Sequence, residues 1–144
     1  MVKQSIQHTA MWYGYSGLIP FIALALLIIT NVFSDNVCRV MFDHYSAIIL
    51  SFMAGVYWPL AMREEGPVNP KRLMIASIGL ALWGWMALML PETLRALAFA
   101  AGFFFLFGID RWVLDVIWSN LYLTMRSHLT AVVVSCQIVV ALFG

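Results

Sequence analysis

The sequence predicts an all-α protein, a polytopic membrane bundle of about five transmembrane helices forming one domain over residues 1–144. Three observations carry this. Of the 144 residues 63% are hydrophobic and 10% charged, whereas a soluble domain has roughly 25% charged residues. Mean hydropathy is +0.90, and a water-soluble fold of this size has too little interior to hide so much apolar surface. The apolar residues also fall in long runs separated by short polar turns, the pattern of helices that cross a bilayer.

Met1 to Ala10 is polar and is read as a tail at the membrane surface. Helix one runs from about Met11 to Phe33, long enough to span and without the small-residue cleavage site of a signal peptide. Trp12, Tyr13 and Tyr15 cluster at its start, where amphipathic rings prefer the headgroup region. Pro20 breaks one of its backbone hydrogen bonds, and the Ser16 hydroxyl is a candidate for offsetting the loss. Asn31 to Asp43 reads as a turn.

Helix two, from about Val40 to Met62, contains Ala47, Ser51 and Gly55 at i, i+4 and i+8. Three small side chains on one stripe let a neighbouring backbone come close, which is how helices hold together in lipid. Arg63 to Arg72 is a charged loop broken by Gly66, Pro67 and Pro70. Helix three is Leu73 to Leu90, and helix four is about Leu94 to Trp112. Ala98 and Gly102 form a second small-residue pair in helix four, and Phe103, Phe104 and Phe105 are expected to face lipid or a partner. Residues 110–128 mix charges with Trp118 and Tyr122 and read as a loop or interfacial turn. Helix five follows from about Met125 to Phe143.

With five spans, Lys3, Arg63, Lys71, Arg72, Arg111 and Arg126 lie on the side of the N-terminus, and only Arg39 and Arg95 lie opposite. That asymmetry places the N-terminus in the cytoplasm and the C-terminus outside.

Three pieces of the chain resemble a known family. They are Gly17-Leu18-Ile19-Pro20-Phe21, then Ile49-Leu50-Ser51-Phe52 continuing through Gly55 and Trp58, then Asp110, Trp118 and Met125-Arg126 with Leu129-Thr130. Together they are similar to a small bacterial inner-membrane family classed as a domain of unknown function, whose eukaryotic relatives are numbered mitochondrial transmembrane proteins. The chain has Ala54-Gly55, Pro59 and Met125-Arg126 where that family commonly has two glycines, a glycine and Leu-Arg. The resemblance implies a five-helix protein of the bacterial cytoplasmic membrane and no reaction.

The residue chemistry points the same way. Haem needs histidines well inside helices, and His8, His44 and His128 map to helix ends or tails. No His, Cys or carboxylate group has metal-ligand spacing, so neither a metal nor a cofactor is expected. Cys38 and Cys136 are too few for a disulfide framework. Ser51 lacks a His or Lys on its helix to activate it, and is read as a helix-to-helix hydrogen bond. A net charge of +1 with no basic stripe argues against nucleic acid. Trp83 and Trp85 are the tryptophans deep enough to line a pocket, but two residues apart they face different ways.

The ionisable residues Asp43, Arg95, Asp110 and Arg126 remain. Charges at membrane depth mark ion or substrate paths, unless they snorkel to the interface or pair. Asp110 and Arg126 are the candidate ion pair, because the end of helix four and the start of helix five share a side. No nucleophile, base and orienting group come together, so an enzyme is not expected. The leading reading is an accessory or assembly subunit that sits in the lipid bilayer and packs against other membrane subunits or itself. The alternative is a quinone-, pigment- or lipid-binding or proton-handling protein with a cavity lined by Pro20, Ser51, Trp83 and Asp110.

Overall fold

The computed structural model describes residues 2–32, 35–63 and 66–143. Among these the chain is helical throughout, 85% helix with no strand. Phe33, taken above as the end of helix one, lies outside the described residues, as do Glu64 and Glu65 of the charged loop.

The first apolar run forms two helices, α1 (Val2–Ser16) and α2 (Leu18–Thr30), joined at Gly17. The expected N-terminal tail is therefore helical, since it contains neither glycine nor proline to stop the first turns. Pro20 sits in the first turn of α2, where a missing N–H costs least. The Ser16 hydroxyl donates to Tyr13 O at 2.7 Å within its own helix. Tyr45, from the next element, reaches the joint between the two helices, its hydroxyl donating to Gly17 O at 2.8 Å. Asn31 ends α2 in the left-handed conformation, φ 51°, which asparagine tolerates better than most residues.

The second apolar run begins earlier than its hydropathy suggests, because Arg39 and Asp43 sit within α3 (Asp35–Gly55) rather than in a turn. Pro59 has no N–H to donate to the carbonyl of Gly55, and the helix is interrupted at Val56 and resumes as α4 (Tyr57–Ala61). Asn69 caps α5 (Pro70–Ala87), its side chain accepting from Lys71 N at 3.0 Å with Pro70 in the first turn. After Pro91 comes α6 (Glu92–Gly108), which widens into a π-helical turn over Ile109–Val113. Residues 110–128 are thus neither loop nor interfacial helix throughout. The turn ends at Leu114, Ser119 Oγ accepts from Tyr122 N at 3.2 Å, and α7 (Asn120–Phe143) starts five residues before Met125.

Among the described residues four stretches are long and apolar enough to cross a membrane: Ser5–Thr30, Asn36–Ala61, Glu92–Val113 and Asn120–Phe143. The expected count of five is one too many by that measure. The missing one is α5, which spends its first turn on Lys71 and Arg72 and dilutes the rest with glycine and tryptophan.

The elements form one antiparallel bundle. Arg39 pairs with Glu92 and Asp43 with Arg95, so the starts of α3 and α6 lie together at one end. Tyr57 reaches Leu106 and Asp110 at the other end. Phe21 of α2 is fully buried and meets Phe42 and Phe103 edge-on, 5.7 and 6.1 Å between ring centres. Phe103 therefore points inward, while Phe104 and Phe105 are exposed as expected.

A close approach of three helices is built around Leu50, which is wholly buried on α3. A side-chain carbon on Gly84 of α5 would stand 3.5 Å from Leu50 Cδ2, and one on Gly102 of α6 would stand 2.9 Å from it. Leu50 is a knob and the two glycines floor its hole. Ala47, one turn earlier, touches Gly84 through its backbone. Ala98 is buried too, and its carbonyl accepts from Trp83 Nε1 at 2.8 Å. Gly55 differs from expectation: nothing lies within 4 Å of where its side chain would be, because its face of α3 points outward. Ser51 is half-buried, and the interhelical hydroxyl is Ser46 instead, which accepts from Gln137 Nε2 at 2.7 Å.

A Gly102→Leu substitution is therefore expected to lower thermal stability in detergent by about 1–3 kcal/mol through overpacking. Gly55→Leu, with open space before it, should stay within about 0.5 kcal/mol of the parent. Equal losses at the two positions would mean that Leu50 is not the centre of the bundle.

Candidate functional site: a buried ion pair and the clefts around it

The Asp110 carboxylate is 0% exposed and Arg126 only 3%. Neither reaches toward an interface, so snorkelling does not describe them. Arg126 Nε stands 2.7 Å from Asp110 Oδ2. Its N–H is not aligned for a regular hydrogen bond there, which makes the contact chiefly one of charge. Hydrogen bonding falls to the other oxygen. Tyr57 Oη, also fully buried, lies 3.1 Å from Asp110 Oδ1 and 3.1 Å from Leu106 O, and Trp118 Nε1 lies 3.3 Å from the same Oδ1.

Each partner is placed by a local feature of the chain. Tyr57 faces the bundle because it continues the buried stripe of Leu50 and Ala54 across the interruption before Pro59. Asp110 continues the buried stripe of Phe103 and Leu106 into the π-helical turn, while its neighbours Arg111 and Trp112 stay exposed. The turn before α7 lays Trp118 on Tyr122, ring centres 4.4 Å apart, and the Arg126 guanidinium sits 5.5 Å above the Tyr122 ring. The cation thus has a carboxylate and an aromatic face.

A polar line continues from this pair along α7. Arg126, Thr130 and Gln137 are all buried on one face. Arg126 Nη2, Thr130 Oγ1 and Gln137 Oε1 have no hydrogen-bond partner among the described residues. Buried polar groups are almost always satisfied, so three unpaired atoms on one helix face mark where this bundle holds unspent hydrogen-bonding capacity. At the opposite end Asp43 and Arg95 are paired at 2.5 Å. Tyr15 Oη and His128 Nδ1 are 3.0 Å apart.

Two clefts bear on function. One of about 620 Å³ runs between α5 and α6, bordered by Ala76, Gly79, Trp83, Ala101 and Phe105. The other, about 220 Å³, lies between α1, α2, α3 and α7 and includes Arg126 in its wall. The cavity expected from Pro20, Ser51, Trp83 and Asp110 is not formed. Trp83 borders the first cleft and Asp110 lies among α4, α6 and α7, while neither Pro20 nor Ser51 borders either of these two clefts. Trp85 is exposed. Among the described residues no three His, Cys, Asp or Glu side chains are grouped to hold a metal.

Residue types and spacing pointed to Asp110 and Arg126 but not to Tyr57, Ser46 or Gln137. For Gln137 a signal existed, a lone amide among the apolar residues of helix five. In lipid such a side chain belongs inside a bundle. Tyr57 carried none, because a tyrosine beside Trp58 reads as part of an aromatic belt.

Helices of spanning length around a buried ion pair define an integral membrane helical bundle. The chain belongs to the family described as a protein of unknown function (DUF3429), which matches residues 6–142. It is similar to transmembrane protein 69 of Xenopus tropicalis, 33% identical over 91 residues, 62% of this chain and 36% of that protein. It is likewise similar to transmembrane protein 69 of Mus musculus, 30% identical over 87 residues, 60% of this chain and 36% of that protein. The match thus spans about a third of these relatives' length. No solved structure matches the chain.

Removing one member of the central pair strands the other. Arg126→Leu is expected to cost about 3–5 kcal/mol, and adding Asp110→Leu should recover part of that loss. A double-mutant cycle in detergent measures the coupling. A value below about 0.5 kcal/mol would show that the two charges stabilise the bundle independently.

Proposed function

We propose that this chain is a non-catalytic accessory subunit of a bacterial cytoplasmic membrane, and that its cleft between α5 and α6 receives a transmembrane helix of another membrane protein. The observation that carries this reading is α5 itself. Its composition falls below that of the four apolar spans, yet it lies antiparallel along α3 and α6 for its whole length. Its start adjoins Ile109 and Trp112, and Trp83 near its end bonds to Ala98. Eighteen residues rise about 27 Å, close to the roughly 30 Å of a bilayer's hydrocarbon core. The outer side of α5 exposes Ile75, Ile78 and Leu82, an apolar face that a second helix covers as well as lipid does. One side is covered by α3 and α4.

The other side has the floor a helix needs. Ala76 and Gly79 of α5 and Ala101 of α6 border it with small side chains, and nothing lies within 4 Å of a side-chain carbon built on Gly79. Small residues at such a seam allow the backbone approach on which association in lipid depends. The Ser46–Gln137, Asp43–Arg95 and Asp110–Arg126 contacts meanwhile serve the bundle's own cohesion, and none of these described groups is arranged as nucleophile, base and orienting group.

With α5 crossing, the bundle has five traversals, and its ends differ in charge. Arg63, Lys71, Arg72 and Arg111 belong to the end with α4 and the π-helical turn, and Arg39 and Arg95 to the other. The excess of cations at the former end supports an orientation with that end and the N-terminus in the cytoplasm. Reporters fused after Phe143 and within Pro67 to Pro70 should accordingly report opposite sides. The same side for both would remove α5 from the membrane.

Gly79→Leu tests the cleft. It should leave the chain's own melting temperature unchanged, since the position is open, and abolish co-purification of a stoichiometric membrane partner in mild detergent. A partner retained in the variant, or none with the parent chain, would exclude this docking site.

A further inference from the structure

We infer that the second cleft is a binding site for a membrane-soluble molecule with a neutral carbonyl head and an apolar tail, held through Arg126. The cleft is separate from the groove of α5 and α6 and opens between α1, α2, α3 and α7. Its wall is graded along α7. Tyr122 and Arg126 stand at one level, and Leu129 and Val133 follow at successive turns. From Tyr122 to Val133 the helix rises about 16 Å. A polar head therefore has its level near Arg126, and an apolar tail has the wall formed with Leu18 and Phe21.

Three observations narrow the head. Arg126 Nη2 is buried and has no hydrogen-bond partner, so a residue of the cleft wall carries unused donors. The guanidinium is already balanced by Asp110 at 2.7 Å. A second full negative charge would be buried without a counterion, which is costly, whereas a neutral acceptor oxygen satisfies the donor at no such cost. The volume, about 220 Å³, is below the roughly 300–1,000 Å³ of sites for drug-sized ligands. It holds one ring or one acyl segment and excludes a macrocyclic pigment. A quinone carbonyl and a glycerolipid ester share this chemistry.

The experiment uses the whole chain, delipidated in detergent, and follows binding by native mass spectrometry and by the shift in melting temperature. The probes are decylubiquinone, dioctanoyl phosphatidylcholine and decanoate. One equivalent of the quinone or of the lipid should bind saturably and raise the melting temperature, and whichever binds identifies the source of the carbonyl. Arg126→Lys keeps a charge opposite Asp110 but removes the spare guanidinium N–H groups, and should weaken binding at least tenfold. Ile49→Trp, which fills the cleft from α3 without touching the ion pair, should weaken it as much, and decides the matter if the lysine variant does not fold. Saturable binding of neither neutral probe, or binding unchanged in Ile49→Trp, would overturn the site. Decanoate binding more tightly than both would overturn the assignment of a neutral head.

Discussion

Asp110 sits where water does not reach, and four elements of the chain are arranged so that it never lacks a partner. Tyr57 comes from α4, Trp118 from the turn before α7, Arg126 from α7 itself, and the carboxylate from the widened end of α6. A carboxylate alone at such a position would be among the most expensive features a membrane protein can carry. Once it is present, the segments that surround it must converge. Tyr57 and Asp110 each lie on the buried stripe of their own span, and the early start of α7 brings Arg126 to the same level.

The opposite end of the bundle is held more loosely by the same means. Arg39 pairs with Glu92 and Arg95 with Asp43, in both cases joining α3 to α6, but these side chains retain some exposure. Exposed ion pairs contribute little. The two ends therefore differ in how much of the fold rests on charge. Between them lies the part held by shape, with Leu50 seated on Gly84 and Gly102 and with Phe21 against Phe42 and Phe103. In lipid there is no hydrophobic force to bring helices together, so close fit of this kind must supply the attraction.

The functional reading follows from what is left over after these demands. Most polar groups are consumed by the bundle, and the family and its numbered transmembrane relatives carry no named reaction. What remains is a groove floored by small residues on one side, and on another a narrow cleft whose wall contains an arginine with unused donors. The first suits a helix and the second suits a small carbonyl compound. Neither depends on the other, since they lie on different faces.

The sequence by itself determined the class of the protein. Composition alone demands a membrane bundle, and breakers such as Pro70 and Pro91 place its helices to within a few residues. Asp110 and Arg126 were also legible, because charges are rare in such a chain and these two fall at the same end. Only the tertiary structure decided which faces turn inward. Gly55 and Gly102 look alike in sequence, each one small residue in an apolar run, yet one faces outward and the other lies beneath Leu50 and Trp83. Phe103 and Phe104 are identical neighbours, and one is buried while the other is exposed. The physical reason is that a helix in lipid is apolar on every side. Hydropathy then carries no contrast between inside and outside, and the direction of each face is fixed by fit and by where the few polar groups must meet.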